Sequence, residues 1–113
     1  MVRQDIYPAH MTMKVVVLYA KPSDAEAFDT HYRDVHVPLV EKIPGLLRFE
    51  QARFGIAGDG GNVPYYLIVE LYFADQAALQ AGLGSAEGRA TAADYGKIAP
   101  EGSRLLFAEV TAS

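Results

Sequence analysis

Residues 64–73, Pro-Tyr-Tyr-Leu-Ile-Val-Glu-Leu-Tyr-Phe, constrain this chain more than any other stretch. Alternation this regular fits a strand and not a helix. Tyr65, Leu67, Val69, Leu71 and Phe73 make one wholly apolar face, and Tyr66, Ile68, Glu70 and Tyr72 make a second that is mixed rather than solvent-like. Successive side chains of a strand point to opposite faces, so a strand with large rings on both needs cover on both. Three further segments read as its partners. Residues 13–20 (Met-Lys-Val-Val-Val-Leu-Tyr-Ala) are a β-branched run ended by Lys21-Pro22. Residues 46–55 put Leu47, Phe49 and Gln51 on one face and Arg48 and Glu50 on the other, and residues 104–111 form the last strand.

Between the first two strands lies a helix. Ser23-Asp24-Ala25-Glu26 is a capping box in which the Ser23 hydroxyl reaches the third helical N–H and Glu26 reaches back. Phe28, Tyr32, Val35 and Leu39 recur at i, i+4, i+7 and i+11, one stripe of an α-helix. His36 falls one position past Val35, about 100° further round at 3.6 residues per turn, on the flank of that stripe. Pro38 has no N–H to give the carbonyl of Asp34, so a kink or restart is expected there, before the helix stops at Pro44-Gly45. Residues 55–62 are a glycine-rich connection. Asp75 caps a short alanine-rich helix over 76–83, broken at Gly84, and Ser85 caps another that runs to about Ile98 before Pro100.

The order β-α-β-β-α-β predicts an α+β, ferredoxin-like domain with an antiparallel sheet. Right-handed crossovers put both helical regions on one side, where the 28–39 stripe meets the apolar face of the third strand. The opposite face, with Tyr66, Ile68 and Tyr72, is too apolar to leave exposed. A homodimer pairing sheet against sheet around a barrel-like interior is expected.

At 113 residues the chain is long enough for one core, here residues 13–113, after an extended or disordered start over residues 1–12. His10 in that start is set aside as a site residue. The net charge of −4, with no basic cluster, argues against nucleic acid and anionic membranes. The absence of cysteine removes disulfides and thiolate chemistry and fits a reducing compartment. No run suits a membrane span and no signal peptide is apparent, so a cytoplasmic location is expected.

His36 is the candidate catalytic residue. An imidazole beside a helix bend can take a proton α to a carbonyl and return it to a leaving hydroxyl, without a metal or cofactor. Tyr19, Tyr66 or Tyr72, if they share its cavity, would polarise a substrate carbonyl, and Glu70 would orient the ring. Each has a plainer alternative: His36 as a boundary residue, the tyrosines as packing, Glu70 in a salt bridge with Arg48 or Arg53. On a regular helix His31 and His36 stand about 140° apart, so one metal cannot be held by both, and His31 reads as a structural or surface residue. The 58–61 glycine loop lacks the ending a phosphate cradle needs, and no serine has a nucleophile elbow.

Phe28-x-x-His-Tyr-Arg-x-x-His36-x-Pro38-Leu39 and Pro44-Gly45-Leu46, with the Lys-Val-Val-Val-Leu-Tyr strand, Asp75-x-x-Ala78-Leu79 and Glu87-Gly88…Asp94-Tyr95, resemble the EthD family of dimeric α+β barrel proteins. The resemblance implies a homodimer with a site for a small apolar or aromatic ligand between helix and sheet. It also implies either a cofactor-independent dehydratase or isomerase, or a non-catalytic accessory protein of ether or aromatic catabolism.

Overall fold

A computed structural model describes residues 11–111. The start expected over residues 1–12 lies outside these but for Met11 and Thr12. The strands are β1 (Met13–Ala20), β2 (Leu46–Arg53), β3 (Tyr65–Phe73) and β4 (Arg104–Glu109). They form one antiparallel sheet in the order β2-β3-β1-β4. Helices α1 (Ala25–His31), α2 (Val37–Glu41), α3 (Gln76–Gly84) and α4 (Ala86–Ile98) complete the α+β, ferredoxin-like fold, with a π-helical turn, Tyr32–His36, between α1 and α2. Among the described residues, no helix is long and apolar enough to cross a membrane.

The core lies between sheet and helices. Met13, Val15, Val17 and Tyr19 of β1 and Leu67, Val69, Leu71 and Phe73 of β3 are buried with Phe28, Tyr32, Val40, Ile43 and Leu79. Each such apolar side chain contributes about 1.5–3 kcal/mol on burial. Gly88 lets α4 close on α3, because a Cβ there would overlap the backbone carbonyls of Gly82 and Leu83. Gly45, at φ +83°, makes the turn from α2 into β2.

Four local expectations are corrected. Asp24, not Ser23, is the N-cap of α1: its carboxylate accepts from the Ala27 N–H at 3.1 Å. Asp75 and Ser85 do cap α3 and α4, accepting from the Ala78 and Gly88 N–H groups. In β2 the pairing passes from Leu46↔Phe73 to Arg48↔Tyr72, so Leu47 is an unpaired bulge residue, exposed, and Leu46 takes its inward place beside Phe49. In β3 the pairing passes from Tyr19↔Leu67 to Ala20↔Tyr65. Tyr66 is therefore the extra residue, and it leaves the open face: its ring meets Phe28 edge-on and its hydroxyl donates to Asp29 at 2.9 Å.

The fourth correction decides the site. In the π turn the Val37 N–H bonds the Tyr32 carbonyl, five residues back, instead of that of Arg33. One extra residue is absorbed, and the inward stripe becomes Phe28, Tyr32, His36 and Val40, with Val35 turned out at 43 % exposure. Pro38, in the first turn of α2, suits such a turn because it has no N–H to close a regular bond onto Asp34.

The other face of the sheet holds Val16, Leu18, Ile68, Tyr72 and Leu106 among charged groups. Lys14 pairs with Glu70 at 2.6 Å, and the Arg48 guanidinium lies 4.1 Å over the Tyr72 ring, whose hydroxyl donates to Glu50.

Candidate functional site

The π turn carries His36 into the space between sheet and helices, where it is 4 % exposed. Its Nδ1 lies 2.8 Å from Oδ2 of Asp94 on α4, and its Nε2 lies 3.3 Å from the Tyr19 hydroxyl on β1. A carboxylate only accepts, so Nδ1 carries the hydrogen and donates to Asp94. In the neutral ring Nε2 is then a free lone pair that accepts from Tyr19. Burial pushes the His36 imidazole below its ordinary value, and the Asp94 hydrogen bond offsets only part of this. Asp94 is raised by its own burial, but hydrogen bonds from two histidines outweigh that and hold it below the usual carboxylate range.

The second histidine is His31, whose Nε2 stands 2.8 Å from Oδ1 of Asp94. The wide separation expected of a regular helix does not hold, because the π turn begins directly after His31 and brings both rings to one carboxylate. The His31 side chain remains 36 % exposed, against 5 % for that of His36.

His36 borders a cavity of about 120 Å³. Val15, Val17, Val69, Leu71, Val40 and Leu105 give it an apolar lining, broken by Tyr19, His36, Thr91 and Tyr95. The Thr91 hydroxyl is already committed, donating to the Glu87 carbonyl within α4. Burial also drives the Tyr19 hydroxyl well above its ordinary value, so at neutral pH it remains a donor. Tyr32 stacks on His36 with ring centroids 5.7 Å apart and planes inclined by 29°.

Of the five side chains singled out from sequence, the structure brings together His36 and Tyr19. Tyr66 is spent on Asp29, away from the cavity lining. Tyr72 and Glu70 lie across the sheet from His36, since β3 residues of that parity face the opposite way. The partner that orients the imidazole is therefore Asp94 and not Glu70, which holds Lys14. Sequence reasoning missed Asp94 and set His31 aside. The available signal was an acid in an alanine-rich helix, within the Glu87-Gly88…Asp94-Tyr95 stretch that carries the family resemblance.

Fold and cavity together define a ferredoxin-like protein with a buried histidine–aspartate pair at an apolar chamber. The EthD domain model matches residues 20–101, most of the chain, and the protein belongs to the EthD family. It is 36 % identical over 96 residues to an uncharacterized 11.0 kDa protein of the thcB-thcC intergenic region of Rhodococcus erythropolis, covering 85 % of this chain and 92 % of the relative. It is also similar to the crystal structure of an EthD family protein from Bacillus halodurans. There the TM-score is 0.83 at 36 % identity, over 89 % of this chain and 100 % of that one. A dimeric ferredoxin-like protein of unknown function from Thermobifida fusca shares the fold at a TM-score of 0.68 and 15 % identity, over 92 % and 94 % of the two chains.

Proposed function

We propose that this protein binds a compact, apolar carbonyl compound in the chamber beside His36 and acts on it as a cofactor-independent lyase or isomerase. The observation that carries the reading is the imidazole itself: Nδ1 anchored on Asp94, Nε2 directed to Tyr19 at the cavity wall. The depressed basicity of His36 keeps it neutral at physiological pH, the form a general base requires. A substrate oxygen that displaces Nε2 as the acceptor of the Tyr19 hydroxyl places its α-carbon near the freed lone pair. His36 Nε2 then removes the α-proton, the C–H pair moves into an enolate, and the Tyr19 O–H stabilises the oxygen. The imidazolium, held by Asp94, returns the proton to the γ-carbon of a β,γ-unsaturated substrate, whose enolate is conjugated, in an isomerisation, or to the departing β-hydroxyl in a dehydration.

The chamber's size limits the ligand. A dry cavity of about 150 Å³ accommodates benzene, so about 120 Å³ suits a C4–C6 body rather than a fused ring system. The reaction class is testable before the natural substrate is identified. In D2O the protein should exchange the α-hydrogens of small ketones such as cyclopentanone, followed by proton NMR. His36→Ala should lose about 10²-fold or more of that rate while still binding the ketone. Equal exchange by wild type and variant would remove the catalytic role.

The nearly all-apolar lining favours a second reading, a non-catalytic carrier or accessory protein of ether or aromatic catabolism. Binding by wild type without exchange, and with unchanged affinity in His36→Ala, would select it. We further propose a cytoplasmic homodimer closed through the open sheet face, in which Val16, Leu18, Ile68 and Leu106 on one side would pack against their copies. A monomer by light scattering at micromolar concentration would refute it.

A further inference from the structure

We propose that His31 is a positioning residue that shares Asp94 with His36 and thereby keeps the buried imidazole neutral and fixed in one tautomer as the surroundings acidify. This inference rests on the reading of His36 as an acid/base group.

The geometry is a carboxylate with one oxygen on each ring, both at 2.8 Å. Asp94 is 7 % exposed, so its charge is little screened by water. The two rings lie on different cavities. His36 borders the apolar chamber, and His31 lines an open surface cleft of about 390 Å³ with Pro22, Asp24 and Lys97. The groups sharing the surroundings of His36 are Asp94 and Tyr95 from α4, Tyr19 from β1, and Tyr32 and His31 from its own helix. None of the three tyrosines ionises near neutral pH. The balance therefore lies between one carboxylate and two imidazoles.

A proton added to this cluster can rest on either ring. On His31 the cation keeps part of its hydration; on His36 it is stripped of water. Once on His31 the proton neutralises much of the Asp94 charge that would otherwise stabilise an imidazolium at His36, and it repels a second proton there. The oxygen held by His31 also stays with that ring, so Asp94 cannot rotate, and Nδ1 of His36 keeps its partner. The base is thus protected by a neighbour that never enters the chamber.

The test is an NMR titration of the imidazole C2–H signals without substrate, which stands whether or not the protein is catalytic. His10 is removed by His10→Gln to simplify assignment. In wild type, His36 should titrate below the ordinary imidazole value of about 6.5. His31→Gln keeps a donor for Asp94 but removes the chargeable ring, and should raise the His36 midpoint by about half a pH unit or more. That is about a threefold change in protonated fraction at fixed pH. His31→Arg supplies permanently the cation that His31 carries once the first proton is bound, and should leave the midpoint near that of wild type. A wild-type midpoint above 6.5, or a midpoint unmoved in folded His31→Gln, would overturn the proposal. If ketone exchange is also present, its acid limb should move with the same sign; if it is absent, the titration still decides.

Discussion

Replacing Asp94 by alanine separates local from tertiary energetics, because the two have opposite signs. As an isolated matter α4 should welcome the change. Alanine is the best helix former and gains up to about 0.7 kcal/mol over aspartate. Asp94 also lies in the C-terminal half of a helix that ends at Ile98, where the dipole disfavours a negative charge. Against this stands the His36 Nδ1–H, which would be left in a protein interior with no acceptor. Orphaning a buried donor costs about 1–3 kcal/mol, towards the upper end when the lost partner is charged. The His31 contact adds about 0.5 kcal/mol or less, since that ring reaches water. The net expectation is a loss of about 1–2.5 kcal/mol, or roughly 5–15 °C in midpoint temperature for a domain of this size. Urea unfolding followed by far-UV circular dichroism would measure it, with the m-value unchanged. A neutral or stabilising Asp94→Ala would mean that the His36–Asp94 bond contributes nothing, and the account of the site would fail with it.

Acid should act through His36 in a defined direction. Its folded value lies below its unfolded one, so the unfolded chain binds the proton first. Stability contributed by the neutral ring is therefore complete above about pH 7 and is lost as pH falls through about 6.5 towards the lower folded value. Unfolding free energies at pH 7.5 and 5.5 should differ in wild type and converge in His36→Gln; an equal drop in both would exclude His36 as the source. Gly88→Ala should destabilise by about 1–3 kcal/mol despite a better helix former, because its Cβ meets the Gly82 and Leu83 carbonyls. A thermal midpoint at or above wild type would show that α3 and α4 can part without cost. Leu106→Asp, on the open sheet face of β4, should convert a dimer into a monomer by light scattering and leave the far-UV spectrum unchanged; an intact dimer would exclude that face as the interface.

Much of this architecture is legible in the chain because it is written in short-range patterns. The alternation over β3, the β-branched run of β1, and the caps Asp75 and Ser85 are local, and each reappears where the pattern puts it. The quoted His-x-Pro-Leu and Pro-Gly-Leu pieces likewise point to the family that the domain match establishes. Apart from the cap of α1, which is Asp24 and not Ser23, what the pattern misassigned were faces, each time by one residue. The bulges at Leu47 and Tyr66 each insert an extra position that changes the face of the residues at the start of the strand and leaves the later ones in place, whereas the π turn at 32–36 moves every later side chain of the helix's inward stripe.

The sequence alone thus determined the elements, their order and the presence of an imidazole beside a proline. Only the tertiary structure decided that this imidazole points inward, that Tyr19 stays with it while Tyr66, Tyr72 and Glu70 do not, and that Asp94 anchors it. The reason is physical. Helix and strand periods follow from backbone geometry within a few residues, whereas a π turn or a bulge is selected by what it buries across the sheet. The meeting of His36 with a carboxylate 58 positions away is likewise set by how α4 packs, which no local period encodes.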